Sequence, residues 1–483
     1  MTVPRAKLGT GIPGFDALAR GGLPRAGLAL VLGDRGSGRT TFGLQVLGTA
    51  LADSGGGVFV AFDETPAVLE AAALELGLDV AAWRGEGRFA FVDGVPDPSQ
   101  DVVFAGDFDL GALLARIEAA VAQTHAERVV IDSLDGLLAQ VPHATVIGSE
   151  LRRLAAALGA MGVTTVVTAA LDGPAAALAS AIADTVVRLE RARNPEHWPL
   201  SIEIAAMRGA AHLWGRHPVV MVPGEGLAVL APPAFETEAA PVERMPTGNP
   251  GLDHMLGGGL FRDSLLVLRG APGSGKSVLA AEYLAGGAGS GDRCALVSFA
   301  DSRARLVAEA ASWAIDMERM EADRRLAIVC ARPDGGGLAD HLHLIETVLE
   351  RFKPRRVVVD GLVALARACD DRLFRLGLAH LTGRLRQRGV AGLLTWPVGG
   401  RASAIDLDLM THADAAVVLD DGVATEGVRT IAVVKMRGSW HERVARSYVI
   451  DGDGFHIGRP WHDVDLAERE LPAAALNRAD EAS

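Results

Sequence analysis

The hydrophobic positions of the chain fall into short, nearly unbroken runs. Leu28-Ala29-Leu30-Val31-Leu32, Val58-Phe59-Val60-Ala61-Phe62, Val129-Val130-Ile131 and Val163-Thr164-Thr165-Val166-Val167 are the clearest. Runs without polar alternation, several rich in β-branched residues, predict strands buried on both faces, as in a parallel sheet. Between them, stretches rich in Ala and Leu, such as 109–124 and 150–160, carry helical spacing. Strands alternating with helices predict an α/β sheet with right-handed crossovers.

The pattern occurs twice. Gly14-Phe15-Asp16 returns as Gly251-Leu252-Asp253, and Phe62-Asp63-Glu64 as Phe299-Ala300-Asp301, both at an offset of 237. Further on, Val130-Ile131-Asp132 returns as Val358-Val359-Asp360 at an offset of 228, and Met207-Arg208-Gly209 as Met436-Arg437-Gly438 at 229. Ordered recurrence over this length implies two copies of one unit with a short internal deletion. We place the first unit at 1–231, a linker rich in proline and acidic residues at 232–244, the second unit at 245–461 and a loose polar tail at 462–483.

The candidate chemistry lies where strands meet helices. GAPGSGKS, beginning at Gly270 and running through Gly273, Ser274, Gly275 and Lys276 to Ser277, fits a phosphate loop between strand and helix. Its backbone N–H groups and the helix N-terminus are expected to surround phosphate oxygens. Lys276 should reach the outer phosphates, and the Ser277 hydroxyl should hold Mg²⁺. Asp360, closing Val357-Val358-Val359, is the expected carboxylate beside that ion, as is Asp132 in the first copy. The first copy reads GDRGSGRT through Gly33, Gly36, Ser37, Gly38, Arg39 and Thr40, so Arg39 stands where the phosphate lysine belongs. A guanidinium fits a compact phosphate nest less well than an ammonium. Asp63 and Glu64 are candidates to orient an attacking water. The second copy has Ala300 and the shorter Asp301 there. Lys435 and Arg437, two apart, should point the same way from a strand and meet a phosphate presented by another subunit.

Composition narrows the function. Only four of the 47 basic residues are lysines (Lys7, Lys276, Lys353, Lys435), so a lysine kept at 276 implies tight selection on the second loop. The net charge of −13 argues against a broad nucleic-acid surface. No run approaches the length of a membrane span, and no secretory leader is evident. Cys294, Cys330 and Cys369 are odd in number and widely spaced, which fits reduced thiols. A cytoplasmic protein that uses neither membrane nor nucleic acid is expected.

Together these residues resemble the KaiC family of two-domain RecA-like ATPases. The resemblance runs from about Lys7 to Trp461, and the heptapeptide Lys435-Met436-Arg437-Gly438-Ser439-Trp440-His441 is its most specific part. It implies two tandem RecA-like P-loop NTPase domains, ATP and Mg²⁺ as cofactors, and a double-ring homohexamer with ATP between subunits. It also implies that Lys435, Met436, Arg437, Ser439 and His441, and in the first ring Arg208 and His212, serve a neighbour's nucleotide. Trp313 would pack near the adenine. Clock members autophosphorylate a Ser-Thr pair, for which this chain has Met410-Thr411, leaving Thr411 as the candidate phosphosite. Clock or signalling proteins are the expected partners. Two alternatives stay open: a nucleotide-held signalling scaffold with negligible catalysis, and a RecA- or RadA-like DNA-dependent ATPase.

Overall fold

The computed structural model describes residues 5–94, 111–138, 144–192, 198–233, 243–398, 404–422 and 427–461. Most of the expected linker and all of the expected tail lie outside the described residues. The chain divides into two units, Met1–Ala231 and Pro232–Ser483.

Each unit is built on a nine-stranded sheet. In the first, the strand Leu28–Gly33 lies at the centre, between the parallel strands Thr164–Ala169 and Thr185–Arg191. Parallel pairing continues outward through Ala126–Asp132 and Gly56–Ala61 to Phe89–Asp93. The central strands are buried on both faces, with Leu30, Val31, Val58, Phe59, Val129 and Val130 all fully enclosed. That explains why their sequences lack polar alternation. Beyond Thr185–Arg191 the sheet turns antiparallel through Leu200–Met207, His217–Val222 and Gly226–Val229.

The second unit repeats the design about the strand Leu265–Gly270, which lies between Ala391–Pro397 and Ala415–Asp420. Its antiparallel extension runs through Thr430–Met436, Arg446–Asp451 and Gly454–Pro460. Both extensions begin with an irregular register, between Val186 and Val187 in one unit and Ala416 and Val417 in the other. The helical stretches read from sequence are the helices Gly111–Thr124 and Ala144–Ala160.

Candidate nucleotide sites

The central strand of each sheet feeds a loop whose shape only glycine permits. Gly36 and Gly38 have φ of 75° and 96°, and Gly273 and Gly275 have φ of 82° and 97°. Side chains other than glycine rarely adopt these angles. A Cβ on Gly33 would stand 2.3 Å from Ser37 Oγ, and one on Gly270 the same distance from Ser274 Oγ. Both hydroxyl oxygens are buried and find no hydrogen-bond partner among the described residues. The helices Arg39–Ala52 and Lys276–Gly289 start directly on these loops, so their N-termini face the same space.

In the first unit the loop opens into a cleft of about 680 Å³ that Arg39, Thr40, Asp63, Glu64 and Asp132 line. Thr40 Oγ1 donates to Asp132 Oδ2 at 2.6 Å, and Thr168 donates to the other carboxylate oxygen. A hydroxyl and a carboxylate so joined fit a hard, oxygen-seeking divalent cation. Ser133 Oγ donates to Asp63 Oδ2 at 2.7 Å. Burial, then the charges of Asp132 and Asp63, push the Glu64 carboxyl above the ordinary glutamate range. Arg39 Nη1 approaches Asp135 Oδ2 at 3.4 Å. Arg191 also reaches the loop, its Nη1 lying 3.4 Å from where a Cβ on Gly36 would stand.

The second unit differs in each of these places. Lys276 Nζ donates to the loop carbonyls of Gly270 and Ala271 at 2.7 and 2.8 Å. Asp360 Oδ1 accepts from Thr395 Oγ1 at 2.6 Å. Burial lowers Lys276 and raises Asp360, and it outweighs the attraction between the two. Asp301 Oδ1 lies 3.2 Å from Arg305 Nε, so its charge is turned toward its own helix. Ala300 is exposed and offers no polar atom beyond the backbone. Trp313 is half-buried beside the helix Lys276–Gly289 and lines a small cavity that Ser277 and Asp360 also line.

The residues of the late heptapeptide gather elsewhere. Lys435 ends its side chain on the Met410 carbonyl at 2.5 Å, and Arg437 on the Thr411 carbonyl at 2.8 Å. The strand stops at Met436, so Arg437 lies just past it, and these two carbonyls align the cations more than strand alternation does. Met436 is buried, with its side chain packed in the core of the second unit. Ser439 accepts from Arg244 and donates to the Trp440 carbonyl at 3.0 Å. Burial, with Arg443, holds His441 below the usual imidazole range. In the first unit Arg208 donates to the Ala181 carbonyl at 2.7 Å, and His212 stacks toward Trp214 with ring centres 4.7 Å apart. Arg208 and His212 line a second cleft of about 540 Å³. It shares no lining residue with the cleft at the phosphate loop.

Sequence reasoning missed Thr168, Thr395, Ser133, Asp135 and Arg191. The two threonines stand in for each other at an offset of 227, a recurrence that could have flagged them. Asp135 has Val363 as its counterpart and left no such trace.

A mostly parallel sheet, a glycine loop at the carboxyl end of its central strand and a carboxylate two strands away define a RecA-like P-loop nucleotide-binding fold, present twice. A protein-family model described as ATPase: KaiC matches residues 8–234 and 245–461. The chain is 36% identical over 468 residues to the circadian clock protein KaiC3 of Synechocystis sp., covering 95% of this chain and 93% of that one. It is 38% identical over 463 residues to the circadian clock oscillator protein KaiC of Prochlorococcus marinus, covering 93% and 92%. The chain therefore belongs to the KaiC family and is a nucleotide-binding ATPase of two tandem domains. No helix among the described residues is long and apolar enough to cross a membrane.

Proposed function

We propose that the chain assembles into a double ring of about six copies and hydrolyses ATP slowly, mainly in the first ring, while the second ring stays loaded with ATP. The observation that carries this reading is the separation of the nucleotide groups in one unit. The phosphate loop, Asp63 and Glu64 line one cleft, and Arg208 and His212 line another. On this reading a second copy, packed head to tail, brings the two sets onto one nucleotide. Lys435, Arg437 and His441 would serve the second ring in the same way. The domains on this reading span 1–231 and 245–461.

Thr40 with Asp132, and Ser277 with Asp360, would hold Mg²⁺, whose charge offsets that of the phosphates. Asp63 and Glu64 would place the attacking water, with Asp301 as the weaker equivalent. Trp313 would lie near the adenine of the second site. Thr411 is exposed on the helix Ala404–His412 and would be the acceptor of any residual autokinase activity. Clock partners fit the names of its relatives, and on this reading the protein works in the cytoplasm with clock or signalling proteins.

Light scattering of the ATP-saturated protein tests the assembly and should give about six chains. A monomer at saturating ATP contradicts it. The scaffold reading gains from one observation, the Asp301–Arg305 ion pair at 3.2 Å, which takes the second site's remaining carboxylate away from a water. Absence of phosphate release from either ring would favour it.

A further inference from the structure

We propose that Asp135 is the positioning residue for Arg39, so that the first site clamps phosphate with an Arg–Asp couple where the second uses a lone lysine. This rests on the reading of the first cleft as a nucleotide site. At the counterpart positions the second unit has Lys276 and Val363, so the cation and the carboxylate change together between the copies. The same holds next door: Asp63 and Ser133 share a 2.7 Å hydrogen bond, and their counterparts are Ala300 and Gly361. The turn after the strand Ala126–Asp132 thus supplies a partner for each departing group of the first site.

The chemistry explains the pairing. Lys276 is seated by two loop carbonyls, 2.7 and 2.8 Å away, which suit a compact ammonium. A planar guanidinium on a longer reach needs a second anchor to hold one orientation. Asp135 Oδ2 supplies it at 3.4 Å from Arg39 Nη1. The carboxylate is itself fixed, because Oδ2 accepts from the Ala170 N–H at 2.6 Å. The side chains of Arg39 and Asp135 are only 19% and 31% exposed, which separates them from the fully solvated pairs that contribute little.

The test uses the full chain in a Lys276→Ala background, so that labelled ATP reports the first site. Asp135→Asn keeps an oxygen for the Ala170 N–H and removes the charge. It should raise KM about five- to tenfold and leave kcat within about twofold. In the Arg39→Lys background the same change should move KM by less than about twofold. The matched pair Arg39→Lys with Asp135→Val, copying positions 276 and 363, should bind ATP at least as well as the parent. Equal effects of Asp135→Asn in both backgrounds, an unchanged KM, or loss of binding in the matched pair would each overturn the coupling. If the Lys276→Ala parent binds no ATP at all, the reading of the first site fails and the proposal fails with it. Melting temperatures of every variant separate these outcomes from unfolding.

Discussion

Arg437 donates to the backbone carbonyl of Thr411 at 2.8 Å, and Arg208 repeats the contact on Ala181 at 2.7 Å. In both units an arginine just past the end of an interior strand braces the last turn of a helix. Arg437 Nη2 is committed there and Nη1 lies 3.8 Å from Asp414 Oδ1, while the side chain stays about half exposed toward a group outside the subunit. Arg437→Lys offers a point charge and cannot serve both partners. We expect the ATP concentration needed for ring assembly to rise by about tenfold, the scale of one charge-assisted hydrogen bond. Analytical ultracentrifugation across an ATP titration measures it, and an unchanged midpoint would show that Arg437 serves only its own helix.

The second site should bind ATP more tightly than the first, because Lys276 fits the loop and Arg39 needs a partner. Lys276→Ala should reduce bound nucleotide per chain by about half, with the remainder at the first site. Chromatography of nucleotide released from the purified protein gives the number. Unchanged nucleotide content would show that Lys276 is not the clamp.

Glu64 carries a testable pH dependence. Its carboxyl is raised by burial and by Asp132 and Asp63. A carboxyl raised on folding favours the folded state at low pH, and that contribution is lost as pH rises through the folded value. Activity runs the other way, since only the ionised form accepts a proton from water. First-site phosphate release should therefore fall on acidification at a pH above the usual glutamate range. Glu64→Gln should abolish that limb together with the activity that shows it. A limb at the ordinary glutamate range would place Glu64 in a solvated position.

Stability of the second unit should depend on one buried pair. Arg356 is 1% exposed, lies 3.1 Å from Asp292 through Nε, and donates to the Pro246 carbonyl at 2.6 Å. Asp292→Ala leaves that guanidinium without its carboxylate, which should cost about 3–5 kcal/mol. Hydrogen exchange of the second unit during denaturant titration would report it. A shift below about 1 kcal/mol would mean that the carbonyls alone sustain the charge.

The sheet core was legible because strands buried on both faces leave continuous apolar runs, as in Leu28–Gly33 and Arg356–Asp360. The antiparallel extension was less so. Leu200–Met207 mixes buried and half-buried positions with an irregular register, which blurs its period. The loops were read from glycine spacing, since the backbone itself enforces that pattern. Lys435 and Met436 are the last two residues of a strand, where successive side chains face opposite ways, so the heptapeptide alone does not show that Met436 is buried. Its burial comes with the core cluster it joins, and its partner across the sheet is Ala415 on the neighbouring strand. Asp135 was invisible for a related reason. Its meaning lies in the reach of Arg39 across the fold and in no local motif.

The unequal sites make one comparison decisive. The first site has Asp63 and Glu64 at its cleft, and the second has exposed Ala300 and an Asp301 turned to Arg305. Loss of a water-positioning carboxylate costs roughly 10²–10⁴ in rate, whereas a less apt cation mainly costs affinity. Phosphate release from the assembled protein should therefore be measured for Glu64→Gln, with Asp63→Asn beside it, and for Asp301→Asn. Glu64→Gln should remove most of the ATPase activity and Asp301→Asn should change it little, whereas the reverse pattern would assign hydrolysis to the second ring and contradict the division of labour.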